Sequence, residues 1–114
     1  MIFMDVFCSI CENKDFRRVY AKGRSFVSPC LVTYVLKNRS GDLRMWITTS
    51  KKIGNAVKRS RSRRVIREAF RMLAKEVRPG YDLIFVARGK TPTVKSTDVC
   101  RAMSRQLRDA GILR

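Results

Sequence analysis

KKIGNAVKRSRSRRVIREAFR, residues 51–71, carries nine Lys or Arg against the single acid Glu68. Wound at about 100° per residue, Ile66, Ala69, Phe70, Leu73 and Val77 fall in one narrow stripe, the i, i+3, i+4, i+7 pattern of a helix that packs on its own domain. Arg61, Arg64, Arg67, Arg71 and Lys75 fall on the opposite side. Cations three and four residues apart repel by roughly 0.2–0.5 kcal/mol per pair, and solvated helix faces normally alternate sign. A face this uniform predicts an anionic partner.

The helix starts near Asn55 or Ala56 after the Gly54 turn and ends before Pro79-Gly80, which cannot continue it. Upstream, Phe26 to Leu36 contains the β-rich run CLVTYVL; K-N-R-S-G-D then reads as a hairpin turn, and LRMWITTS returns as the partner strand. Further upstream, Asn13 is placed to cap a helix NKDFRRVYAKG, in which Phe16, Val19 and Tyr20 keep helical spacing. Downstream, YDLIFVAR is a nearly continuous apolar strand of the kind buried mid-sheet. After RGKTPT, Ser96 or Thr97 caps a last helix with Val99, Ala102, Met103, Leu107 and Ala110 in phase. The expected fold class is α+β, an α/β sandwich in which three helices pack on a small four-stranded mixed sheet in the order αβββαβα. The 114 residues suit a single domain, 1–114, with an irregular N-terminal segment over 1–12.

A net charge of +17, from 26 Lys and Arg against 9 Asp and Glu, far exceeds what solubility asks of a small domain, so nucleic acid is the leading partner class. The 45% hydrophobic content argues for a folded chain rather than a basic tail. No apolar run approaches the length of about 20 residues that spans a bilayer, and MIFMDVFCSICENK has no positive n-region, so the expectation is a cytoplasmic protein with no membrane partner. Cys8, Cys11, Cys30 and Cys100 include one C-x-x-C pair, but with no histidine and two solitary cysteines in apolar segments they read as inert thiols rather than a zinc site.

The chain also lacks the residues of a protein catalyst. It has no His for proton transfer near neutral pH, its acids are scattered singly, and no Gly-rich phosphate cradle is present. Binding remains. Phe16, Tyr20 and Tyr34 would share one surface if the first helix packs beside CLVTYVL, and aromatic faces beside a cationic groove hold single-stranded nucleic acid. Trp46 reads as core. Lys51 and Lys52, with the free N–H groups of the basic helix, converge on a phosphate, and Arg59, Arg63 and Arg88 supply guanidinium forks for bidentate contact. The exposed helix face is nearly all Arg and Lys, which suits phosphate contact better than base readout, so DNA is not the expected partner.

SKKIGNAVKRSRSRRVIRE resembles the signature of the bacterial ribonuclease P protein component, with Lys52, Gly54, Asn55, Ala56, Val57, Arg59, Arg63, Arg64 and Arg67 at the matching positions. The likeness runs from about Glu12 to Leu107. Ser60 stands where the family usually has Asn, and the basic lead before Asn13 is missing. The resemblance implies that the basic helix lies in a left-handed βαβ crossover, against the usual rule for such connections. It implies the RNA-binding subunit of a ribonucleoprotein endonuclease that removes the 5′ leader from precursor tRNA, with the RNA subunit doing the catalysis. Mapped onto this chain, Lys51, Lys52, Asn55, Arg59, Arg63, Arg64 and Arg67 would contact the catalytic RNA, while Phe16, Tyr20, Tyr34 and Arg88 would line the leader cleft. No catalytic or metal-binding residue is assigned; the protein alone holds no cofactor, and Mg2+ serves the holoenzyme. The alternative is a ribosomal-type RNA-binding protein with no part in cleavage.

Overall fold

The computed structural model describes residues 8–10 and 12–114. In chain order it contains β1 (Cys8–Ser9), α1 (Asn13–Lys22), β2 (Arg24–Ser28), β3 (Leu31–Lys37), β4 (Arg44–Thr48), α2 (Ala56–Leu73), β5 (Tyr81–Ala87) and α3 (Ser96–Asp109). The αβββαβα order is the expected one. Ahead of it stands the two-residue β1, which makes a five-stranded sheet of order β1-β4-β5-β3-β2. β1 is too short to leave a periodic signal. It is drawn to the edge because Ile10, next in the chain, is fully buried against Val19 and Ile84 and donates its N–H to Met45 O at 3.1 Å.

The sheet order overturns the expected β3–β4 hairpin. β5 lies between those strands, antiparallel to β3 and parallel to β4. The apolar run decides this: Leu83, Ile84 and Phe85 are all fully buried, so β5 needs a strand on each edge and a layer on each face. The 38–43 segment therefore spans the entry to β5 instead of closing a hairpin. Asn38 accepts from Gly41 N and donates to Asp42 O, while Asn38 N and Gly80 O pair across to the start of β5. The parallel neighbours β4 and β5 are joined through α2.

Strand alternation sends Met45, Ile47, Leu31, Val35, Leu83 and Phe85 to one face, where they form the main core with Ile66, Ala69 and Phe70 of α2 and Val99, Met103 and Leu107 of α3. Leu73 is only partly buried, and Val77 reaches the core from beyond the helix, which gives way to a 3-10 turn over Ala74–Glu76. α1 covers the opposite face through Val19, which meets Ile84 and is bordered by Phe16, Tyr34, Leu36 and Val86. Trp46 departs from its expected core position. It shares the α1 face of β4 with Arg44 and Thr48, lies near the sheet edge, and is 42% exposed.

Two caps also differ. Asn13 is the first residue of α1 and Glu12 holds the cap position without a side-chain bond. At α3 the cap position is Lys95, whose N–H donates to Asp98 Oδ2 at 3.3 Å; Ser96 is already helical. No helix among the described residues is long and apolar enough to cross a membrane.

Candidate nucleic-acid interface

The basic surface begins where β4 ends. A 3-10 turn, Lys51–Ile53, buries Ile53 and leaves Lys51 and Lys52 exposed. Gly54 follows at φ +136°, a conformation L residues rarely adopt, and a Cβ there would come within 2.7 Å of Lys58 Cδ. Asn55 then caps α2, its Oδ1 accepting from Lys58 N at 3.0 Å. That bond uses the side-chain oxygen of Asn55 within the protein, while the residue itself is exposed.

Helical geometry sorts the cations. With Ser62, Val65, Ile66, Ala69 and Phe70 buried, the direction opposite the core carries Arg64, Arg67 and Arg71, all exposed, with Ser60 among them. Arg59 and Arg63, four residues apart and half-buried, line one flank. Arg63 Nη1 donates to Thr49 Oγ1 at 2.9 Å and so points toward β4. Arg61 lies on the other flank, where its Nε donates to Pro92 O at 2.7 Å. The outward face is thus narrower than the sequence suggested, because Arg61 fastens α2 to the 91–93 turn.

A second surface forms between α1 and the sheet. Phe16 meets Trp46 edge to face with ring centroids 5.5 Å apart, and Tyr20 meets Tyr34 in the same manner at 4.9 Å. Tyr20 Oη and Thr48 Oγ1 share a hydrogen bond of 3.1 Å. Thr48 and Thr49 are consecutive, so one holds the aromatic surface and the next holds the arginine flank. The two surfaces meet at the end of β4. Arg88, the first residue after β5, is exposed and tied elsewhere: its Nη1 donates to Ser28 O at 3.0 Å, at the end of β2. Phe16, Tyr20 and Tyr34 are thus brought together, while no contact joins Arg88 to the three rings.

What fixes α1 over the sheet is a buried charge cluster. Asp82 has a fully buried side chain in the otherwise apolar β5 and accepts from Arg44 Nε and Nη2 (2.7 Å each), Asn38 Nδ2 (2.8 Å) and Arg18 Nη2 (3.3 Å). Burial alone would push its carboxyl up, but hydrogen bonds from Arg44 and Asn38 and the charges of Arg44 and Arg18 hold it below the ordinary carboxylate value. The same bond raises Arg44 above the usual guanidinium range. Asp15 of α1 completes the cluster, 3.5 Å from both Arg18 and Arg44. Arg18 and Asp15 sit on α1 to either side of Phe16, and Arg44 precedes Trp46 by two residues, so the cluster sets the geometry of the aromatic surface.

Among the described residues no three His, Cys, Asp or Glu side chains come together, and the oxygens of Asp82 are taken up by arginine and asparagine donors. That donor set does not fit a cation. Cys30 is a buried free thiol and Cys100 a half-buried one whose pKa burial pushes up. Cys11 and the side chain of Cys8 lie outside the described residues.

Comparison with known proteins shows the family of the chain. The sequence profile of the family described as Ribonuclease P matches residues 4–111. The chain belongs to the ribonuclease P protein family. It is 46% identical over 90 residues to the ribonuclease P protein component of Clostridioides difficile strain 630, covering 76% of this chain and 79% of that one. Identity to the Clostridium botulinum Loch Maree component is 40% over 104 residues, covering 90% and 94%. A solved Staphylococcus aureus RNase P protein superposes with a TM-score of 0.80 at 31% identity, covering 93% of this chain and 97% of that one. The chain is accordingly a protein subunit of ribonuclease P and not a ribosomal-type RNA-binding protein.

Within that family assignment, sequence reasoning missed Asp82, Arg44, Arg18 and Trp46. A signal existed for the first: an acid inside YDLIFVA cannot be buried without cationic partners.

Proposed function

We propose that this ribonuclease P subunit uses its two surfaces for two RNAs. The α2 surface, Lys51, Lys52, Asn55, Arg59, Arg63, Arg64 and Arg67, docks the catalytic RNA through its phosphates. The aromatic surface of Phe16, Tyr20 and Tyr34 receives the single-stranded 5′ leader of precursor tRNA, with Arg88 contacting the leader beyond the rings. The RNA subunit hydrolyses the phosphodiester. Its magnesium ions serve the RNA, and the protein lowers the magnesium needed by screening phosphate repulsion and by holding substrate and ribozyme together. Its place is the cytoplasm, and neither DNA nor a membrane is its partner.

The observation that carries this reading is the meeting of the surfaces at Thr48 and Thr49, where an arginine flank borders half-exposed aromatic rings. Single strands are held by such a combination, at about 1–3 kcal/mol per stacked base. Separating the surfaces tests it. Arg63→Ala with Arg64→Ala weakens affinity for the catalytic RNA, whereas Phe16→Ala weakens affinity of the assembled holoenzyme for leader-bearing precursor and spares mature tRNA. If both variants shift both affinities alike, the two-surface reading is wrong.

A further inference from the structure

Trp46 is the single tryptophan of the chain, and 42% of it is exposed in a surface where its neighbours Ile84 and Val19 are fully buried. The exposed part of the indole is apolar surface available to a ligand. Its setting repeats that of Tyr34. The register aligns Tyr34 with Ile84 and Ile84 with Trp46 across three adjacent strands, so the two rings rise from the same face on either side of one buried isoleucine. Two strand spacings separate their Cα atoms, about 10 Å. Each ring is met edge to face by a ring of α1, Trp46 by Phe16 and Tyr34 by Tyr20, and those two partners are one helical turn apart. Each pair keeps one ring exposed: Trp46 in the first, Tyr20 in the second, both at 42%.

We infer that Trp46 and Phe16 form a second base-binding station for single-stranded RNA, separate from the Tyr20–Tyr34 pair. This rests on the leader reading above and extends it from one aromatic surface to two discrete stations. A strand stacked at about 3.4 Å per nucleotide covers 10 Å in about three nucleotides, so the stations take bases about three positions apart. The chemistry is stacking on an indole face. The station therefore favours bases by stacking area, purines above pyrimidines, rather than by hydrogen-bond pattern.

The native chain carries its own reporter. With the holoenzyme assembled first on the catalytic RNA, fluorescence of Trp46 is followed while precursor tRNA with a long leader, precursors with stepwise shortened leaders, and mature tRNA are added. The expected result is quenching by the long leader, loss of that quenching below a threshold leader length, and none with mature tRNA. A single abasic leader position abolishes it. Trp46→Ala lowers affinity for the long-leader precursor by roughly 5- to 150-fold, the range of one stacked base, and Trp46→Phe recovers part of the loss. Absence of quenching with the long leader, or an equal change with mature tRNA, overturns the station. Tyr20→Ala distinguishes the two failures: if it weakens long-leader binding while Trp46 stays silent, only the second station falls, and if it has no effect, the leader reading falls with it.

Discussion

Replacing Asp82 with Asn removes the negative centre of the cluster that ties α1, β4, β5 and the 38–43 segment together. Arg44 then loses two bonds of 2.7 Å to a carboxylate while its own side chain remains only 20% exposed. Breaking a buried pair by removing one partner costs about 3–5 kcal/mol, and the partial exposure of Arg44 places this case near the lower figure. With an unfolding entropy of about 2.1 cal/mol/K per residue over 114 residues, a loss of about 3 kcal/mol lowers Tm by roughly 12 °C. The pH dependence follows from the depressed carboxyl of Asp82. Its stabilisation is fully present above its ordinary value of 3.8 and disappears as pH falls through the lower folded value, because the unfolded chain binds that proton first. Thermal unfolding followed by circular dichroism at pH 7 and at steps down to pH 2 shows the native chain losing stability in that acid range and the Asp82→Asn variant losing less. Removing both charges, Asp82→Leu with Arg44→Met, recovers part of the Tm. A shift under about 4 °C for Asp82→Asn, together with an unchanged acid limb, refutes the assignment of the cluster as the lock on α1.

Asn55→Ala removes the cap on Lys58 N and costs about 0.5–2 kcal/mol in urea unfolding, whereas Asn55→Asp, which keeps an acceptor, costs less than half as much. Gly54→Ala forces a side chain into φ +136° and against Lys58; it destabilises by about 1–3 kcal/mol and displaces Lys51 and Lys52, so catalytic-RNA affinity falls with it. If about five to eight phosphates are met, the slope of log affinity for RNA against log salt lies near −3.5 to −7, and Arg64→Ala makes it shallower by about 1.

The legible parts of this fold were local. α2 declared itself because an apolar stripe at helical spacing and a run of Arg on the other side leave one way to wind residues 56–73, and its start at Ala56 lies within the expected bounds, with Asn55 as the cap. The sheet order was hidden because Asn, Ser, Gly and Asp around residue 40 are turn formers whether or not the flanking strands pair. Only the burial of Leu83, Ile84 and Phe85, a long-range effect, inserts β5 between them. Trp46 misled because strand alternation identifies two faces without saying how far α1 covers one of them. At the candidate interface, Lys51, Lys52 and the arginines were visible as charge and Phe16 and Tyr20 as spacing. The contacts that join the surfaces, Tyr20 with Thr48 and Arg63 with Thr49, link residues 28 and 14 positions apart and exist only in the folded chain.

In the proposed division of labour a cationic scaffold positions RNA and the ribozyme breaks the bond. Cleavage of precursor tRNA measured across a magnesium titration, with the protein alone, a bacterial ribonuclease P RNA alone, and the two combined, separates the two roles. The expected result is no cleavage by the protein alone and a lower magnesium midpoint for the combination than for the RNA. Cleavage by the purified protein, or a midpoint that does not move when it is added, rules out this division of labour.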